Sequence, residues 1–473
     1  MAHAERLPWT VGPSLGVGLA GLALALVLLD GGLGDLTRLP VRRSAPAPTA
    51  PATPASDQVS PEVDDVAPPL PPRPDLAPER APGGMPVSTP GKTVEDVCVE
   101  PRGATTGCTR WALDPFYAAL YATERGTATA PVRLSWFGDS VSASDALPGR
   151  VRARLQDIFG DGGPGFVHAI SPHRFNHNEA AQRSSTGSWR TWAVSLHNVA
   201  DGLYGAGDST AEGTGSIKVS SKTSSGQVSR VDVYYLAQPR GGTAELLVDG
   251  ELQATIDTAA EHKQAGFAPL TLPDAAHTIE LKTSGGKVRL FGVTLERDRG
   301  IVLDNMALVS ATAKNLLENQ ADHWKSQLAH RAPDLVIIML GTNEAQWLSG
   351  SDRSMAEYEQ VWTKLLAPVR AARPGASCLV MAPLDQAEIR DDKLVARRGV
   401  PPMVDTQRKV AFAAGCGFWD TFTWMGGSGA SIKWNKRGLL GSDFAHLSRK
   451  GTSSVADGLA DALVAGYKAY KGR

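Results

Sequence analysis

The sequence predicts an α/β fold, a doubly wound parallel sheet, interrupted by an inserted all-β sandwich. Three observations carry this. Residues 132–137 (VRLSWF) read as a strand, followed at once by a tight Gly138-Asp139-Ser140 turn and by a helix over about 146–159. The same grammar returns downstream: the unbroken apolar run 335–340 (LVIIML) suits a strand buried on both faces. Further strands near 378–382 and 417–422 alternate with helices near 355–372 and 403–414. Between these halves, from about 215 to 297, short strand-like segments are separated by Gly, Asp, Pro and Ser turns without helical periodicity.

Taken in order, the chain opens on an apolar stretch. Residues 7–29 carry no charge and are long enough to span a hydrocarbon core of roughly 30 Å. Asp30 and GGLGDL follow without a small-residue cleavage site, so an uncleaved transmembrane anchor is expected rather than a signal peptide. Arg6 on one flank and Arg38, Arg42 and Arg43 on the other leave the orientation open. Residues 40–92 form a Pro/Ala-rich linker that cannot bury a core and favours extended polyproline II, either a tether or a passive spacer. The folded part is expected to comprise 94–170 and 300–473 as two segments of one α/β domain, with 171–299 as the all-β insert. A short helix within 111–124 begins it, and a helix over about 450–470 closes it.

Composition removes some functions. Lysine plus arginine (48) nearly cancels aspartate plus glutamate (49) and no dense basic block stands out, so nucleic acid is not an expected partner. The cysteines fall into two local pairs, Cys98 with Cys108 and Cys378 with Cys416, neither with zinc-type spacing. Disulfides are favoured over a metal site, with inert buried thiols as the alternative. His168, His173 and His177 form the densest histidine group, and their Pro, Arg and Asn neighbours point to a polar loop rather than a ligand set. No metal or cofactor is called for, and a monomer is expected.

Three short motifs carry chemistry. A serine at the tip of a strand-to-helix turn is exposed and close to helix-amino-terminal N–H groups, the placement a nucleophile needs; Ser140 has it. In Asp443-Phe444-Ala445-His446, two side chains three residues apart can converge on a turn. Asp443 would then hold the imidazole Nδ1–H, leaving Nε2 of His446 to deprotonate Ser140. Asn343, in Gly341-Thr342-Asn343-Glu344 after the apolar strand, can donate its side-chain amide to an oxyanion.

In identity, order and fold context these blocks resemble the SGNH/GDSL hydrolase superfamily, over about 132–167 and 300–470. The resemblance implies a flavodoxin-like domain with Ser140 as nucleophile, His446 as base and Asp443 as its orienter. It also implies an oxyanion hole built from the Ser140 N–H, a block-two glycine N–H and Asn343. At that glycine position, in 304–311 (DNMALVSA), this sequence carries Ser310, whose N–H survives the replacement but whose backbone freedom is narrower. Gly163 or Gly165 is the fallback donor. The split layout is similar to the peptidoglycan O-acetylesterases, whose insert resembles a carbohydrate-binding module. That implies removal of acetyl groups from peptidoglycan or another cell-envelope glycan through an acyl-enzyme, outside the cytoplasm. The rival readings are an acetyltransferase with the same triad and a non-catalytic glycan-binding protein. Trp189, Trp192, Tyr204, Tyr234 and Tyr235 are either sugar-stacking surfaces or, in preference, core.

Overall fold

The computed structural model describes residues 89–101 and 108–472. The apolar segment 7–29 and nearly all of the 40–92 linker lie outside them; among the described residues no helix is long and apolar enough to cross a membrane. Strands β1 (Cys98–Pro101) and β2 (Cys108–Trp111) form an antiparallel pair closed by the Cys98–Cys108 disulfide. The short helix expected within 111–124 is α1 (Asp114–Glu124), and Trp111 before it belongs to β2. Pro115 sits in its first turn, where a missing N–H costs nothing. Strand β3 (Val132–Gly138) follows, then the single turn α2 (Ser140–Ala143) and α3 (Ala146–Phe159). Leu147, Val151, Leu155 and Ile158 recur at helical spacing along α3 and are all buried.

The strands of the insert pair antiparallel. Its strands are β4 (Gly165–His168), β5 (Ala181–Ala193), β6 (Ser209–Ser221), β7 (Val228–Ala237), β8 (Thr243–Val248), β9 (Glu251–Asp257), β10 (Gln264–Ala275) and β11 (Thr278–Glu296). They are hydrogen-bonded into one eight-stranded sheet organised by β11. The register of β11 against β6 breaks between Thr283 and Val288, across Gly285 and Gly286, both with positive φ. Before the break β11 lies between β6 and β8; after Leu290 it lies between β7 and β4. Every residue from Val288 to Glu296 is buried, because this half is covered on both faces. Leu290, Val293 and Leu295 join the core of the insert, while Phe291 joins that of the α/β domain. The Gly-rich stretch before β4 thus leads into the insert's sheet.

The second α/β segment supplies β12 (Ile301–Asn305), α4 (Ala313–Leu316), α5 (Ala321–Arg331), β13 (Leu335–Met339), α6 (Asp352–Ala372) and β14 (Ser377–Met381). A small hairpin, β15 (Ala387–Arg390) and β16 (Lys393–Ala396), precedes α7 (Val400–Ala413), β17 (Gly417–Trp419), α8 (Thr421–Met425), α9 (Ala430–Lys436) and α10 (Arg449–Lys471). The parallel sheet has the order β12-β3-β13-β14-β17. Its last strand is shorter than expected because Asp420 caps α8, accepting the Thr423 N–H at 2.8 Å. Leu134, Trp136, Ile337 and Leu379 face α1, α3 and α10, whereas Phe137, Val336, Ile338 and Val380 face α5, α6 and α7. Helices therefore cover both faces, as a doubly wound sheet requires, and each buried Leu- or Ile-sized side chain contributes about 1.5–3 kcal/mol. The Cys378–Cys416 disulfide joins β14 to the residue preceding β17.

A buried ionic cluster fastens the insert to the α/β domain. Glu296, at the end of β11, pairs with Arg133 at 2.7 Å and Arg331 at 2.5 Å. Arg331 also grips Asp304 through two bonds of 2.8 Å, and Asp304 accepts the Ser135 hydroxyl and the Phe166 N–H, each at 2.8 Å. Burial alone would raise the Glu296 carboxyl, but Arg331 and Arg133 outweigh it and pull it down to about 2.

Candidate active site

Ser140 stands at the carboxyl end of β3, a central strand, as the first residue of α2. The preceding Asp139 is the helix cap: one carboxylate oxygen accepts the Val141 N–H at 3.0 Å, and the other accepts the Thr342 N–H at 3.1 Å. Behind this turn, Trp136 Nε1 donates to the Ser142 hydroxyl at 3.1 Å, and Asn305 donates to the Ser142 carbonyl at 3.0 Å. The serine is thus fixed by backbone and buried partners while its own side chain stays accessible.

The Ser140 hydroxyl lies 2.8 Å from His446 Nε2, and His446 Nδ1 lies 2.6 Å from Asp443. The second Asp443 oxygen accepts the N–H groups of Ala445 (3.1 Å) and His446 (3.0 Å), which requires the chain to double back at Phe444, with φ of 55°. Gly441 N–H closes the turn on the His446 carbonyl at 2.8 Å. Burial would raise the Asp443 carboxyl, yet these backbone bonds and the imidazole hold it below its usual range, so it remains an acceptor. With Nδ1–H donated to Asp443, Nε2 accepts the serine proton. The His446 and Asp443 side chains are 47% and 52% exposed, so water reaches the base.

After β12 the chain continues beside β3. Met306 N–H bonds to the Trp136 carbonyl and Leu308 N–H to that of Gly138, which brings Ser310 to the same end of the sheet as Ser140. Ser310 adopts φ of 63°, the left-handed conformation a glycine takes without penalty. Asn343 spends one amide hydrogen on the Ala311 carbonyl at 2.7 Å. Among the described residues, the N–H groups of Ser140 and Ser310 and the second Asn343 amide hydrogen have no protein acceptor. The fallback glycines are used otherwise. Gly163 N–H is spent on Asp161, and Gly165 lies against the Asp304 carboxylate and Val302, where a Cβ would clash.

Two supporting residues escaped the sequence reading, Asp139 and Glu344. Buried Glu344 accepts the Ala313 N–H at 2.8 Å, holding the loop after Ser310, and burial pushes its carboxyl up to about 7. Both stand inside motifs already quoted, GDS and GTNE, but only the fold shows what their carboxylates reach. Tyr204 and Tyr234 are fully buried and belong to the core, whereas Trp189, Trp192 and Tyr235 are half-buried, packed against core clusters. His168 is not on a polar loop: it sits buried in β4, 2.8 Å from the Ser209 hydroxyl, and burial lowers its pKa to about 3. Among the described residues no group of three His, Cys, Asp or Glu side chains is arranged to hold a metal.

A parallel doubly wound sheet with a Ser-His-Asp relay at the carboxyl ends of its strands defines a serine hydrolase. Residues 282–452 match the GDSL-like lipase/acylhydrolase family, so the chain carries a hydrolase domain of the SGNH/GDSL type, that of an esterase. Ser140 lies outside that matched span because the insert separates it from the rest of the domain. A solved peptidoglycan O-acetylesterase is similar over 74% of this chain and 95% of its own, with 25% identity and a TM-score of 0.62. More remote are a Bacillus subtilis protein (14% identity; 57% of this chain, 85% of that one; TM-score 0.28) and a salicylyl-acyltransferase from a tetracycline biosynthetic pathway (14%; 60% and 93%; 0.28). These two are too distant to bear on function. No match was found among curated protein sequences.

Proposed function

We propose that the protein is a carbohydrate O-acetylesterase acting on peptidoglycan or another acetylated cell-envelope glycan. The observation that carries the chemistry is the unbroken relay from Ser140 through His446 to Asp443, at 2.8 and 2.6 Å. Ser140 Oγ attacks the acetyl carbonyl as its proton passes to His446 Nε2. The resulting oxyanion is held by the N–H groups of Ser140 and Ser310 and by the Asn343 amide. Collapse of this intermediate expels the sugar oxygen, which takes the proton from His446 and leaves an acetyl-Ser140 ester. Water, deprotonated by the same imidazole, then releases acetate and restores the serine.

Hydrolysis is favoured over acetyl transfer because the His446 and Asp443 side chains are open to water. The similarity to a peptidoglycan O-acetylesterase supports the choice of polymer. In this reading 7–29 anchors the chain, the linker spaces the enzyme from the bilayer, and the all-β insert serves as a glycan-facing sandwich outside the cytoplasm. The test is acetate release by the protein and by Ser140→Ala from acetylated peptidoglycan and acetylated xylan. Release lost with Ser140 supports the reading, and its absence from both polymers, with intact Ser140, overturns it.

A further inference from the structure

The loop that carries Asn343 is gripped from two sides. On one side Asp139 takes the Thr342 N–H. On the other runs the segment that leaves β14, and Gly341, with φ of 130°, passes so close to it that a Cβ would lie 2.8 Å from Pro383 Cβ. Three residues beyond Pro383, Gln386 is completely buried, and its Nε2 donates to the Thr342 carbonyl at 3.0 Å. That carbonyl shares one rigid peptide plane with the Asn343 N–H, so the bond fixes the direction in which the chain enters Asn343. Asn343 makes a single side-chain bond among the described residues, to the Ala311 carbonyl, and the aim of its second amide hydrogen therefore depends on where the main chain holds it.

The Gln386 amide is itself held in one orientation. Its Oε1 accepts from Gln346 Nε2 at 2.9 Å, and Gln346 Oε1 accepts from Arg397 Nη2 at 2.7 Å. A guanidinium only donates and a main-chain carbonyl only accepts, so the series from Arg397 through Gln346 and Gln386 to Thr342 has one polarity. Neither amide can turn over without breaking two bonds. The series closes on itself, because the Arg397 N–H donates to the Gln386 carbonyl at 2.8 Å. The next residue reaches the other half of the site: Ala387 N–H donates at 3.4 Å to the carbonyl of Phe444, inside the turn that joins Asp443 to His446. Gln386 and its neighbour thus stand between the loop of the amide donor and the turn of the base.

We propose that Gln386 is a positioning residue for ester cleavage: by holding the Thr342 carbonyl it aims the second Asn343 amide hydrogen at the oxyanion. This assignment rests on the oxyanion role given to Asn343 above. The test is a double-mutant cycle on 4-nitrophenyl acetate with Asn343→Ala and Gln386→Met, which keeps much of the side-chain volume and removes both bonds. Gln386→Met should lower kcat about ten- to a hundredfold with KM changed less than about twofold, because the donor is misaimed where charge develops in the transition state. In the Asn343→Ala background the same substitution should cost less than about twofold. Unchanged kcat in folded Gln386→Met, or losses that multiply in the double variant, overturns the assignment. Should Asn343→Ala alone keep full kcat, the oxyanion role fails, and the assignment with it. Gln386→Glu is the second variant, should Gln386→Met not fold. It keeps the shape and donates to Thr342 only while protonated, so its kcat relative to that of the unaltered protein should fall as pH rises. A ratio that stays flat from about pH 5 to about pH 10, a span covering the range to which burial raises a glutamate, overturns the assignment.

Discussion

Asp139 accepts the backbone N–H of Thr342 at 3.1 Å and so ties the turn carrying Ser140 to the loop carrying Asn343. Two motifs separated by about two hundred residues are held in register by one buried carboxylate, whose second oxygen caps α2. Asp139→Ala would leave two buried N–H groups unsatisfied, at about 1–3 kcal/mol each. The expected result is a lower Tm by calorimetry together with a fall in kcat larger than any rise in KM, because the nucleophile and the amide donor lose their mutual placement.

Ser140, His446 and Asp443 form one relay, so their substitutions should not add. Ser140→Ala and His446→Ala are each expected to lower kcat by about 10⁵-fold or more, and the double variant by little beyond either alone. Asp443→Asn should cost less, about 10³–10⁴-fold, since the imidazole remains but its tautomer is no longer enforced. Steady-state rates on a chromogenic acetate ester decide this; additive losses would show that the residues act independently.

Ser310 is expected to act through its main chain. Its φ of 63° costs a non-glycine residue roughly 1–2 kcal/mol. Ser310→Gly keeps the N–H and removes that penalty, so activity should be retained and stability held or raised. A loss of activity in Ser310→Gly, with the fold intact by circular dichroism, would assign the function to the hydroxyl instead.

Glu344 gives a pH signature. Its folded carboxyl is raised from 4.5 to about 7, so between these values the folded state keeps a proton that the unfolded chain has released. Stability from this group is full below pH 4.5 and is lost as pH rises through 7, a change on the order of 3 kcal/mol. Glu344→Gln, which can still accept the Ala313 N–H, should match the unaltered protein near pH 4.5 and exceed its stability at pH 8. Denaturant melts at the two pH values measure the difference.

Much of this architecture is legible in the sequence, and the gaps have physical causes. The apolar run LVIIML marks β13 because a parallel strand covered on both faces is built mainly of apolar residues, and the strand-turn-helix signal locates Ser140. The turn at Asp443 and His446 is readable because both partners lie within four residues. Asp139 and Glu344 are not, since their acceptor roles depend on backbone amides at Thr342 and Ala313 that only the folded sheet brings near. The early end of β17 reflects a local competitor, the Asp420 helix cap, that outweighs hydrophobic pattern.

The two ends of the insert are hydrogen-bonded across each other: Ile301 N–H reaches the Gly160 carbonyl at 2.8 Å, and Arg297 N–H reaches that of Gly162 at 2.8 Å. This has a kinetic consequence. The β3–β12 pairing joins residues as far apart as Ser135 and Asp304, a separation of 169. An unstructured chain of that length closes slowly, whereas a folded insert with clasped ends acts as a short bridge between them. Connectivity then predicts an order of assembly in which the antiparallel module forms before the β3–β12 edge of the parallel sheet, and pulse-labelling hydrogen exchange during refolding should protect β6 and β11 ahead of β12.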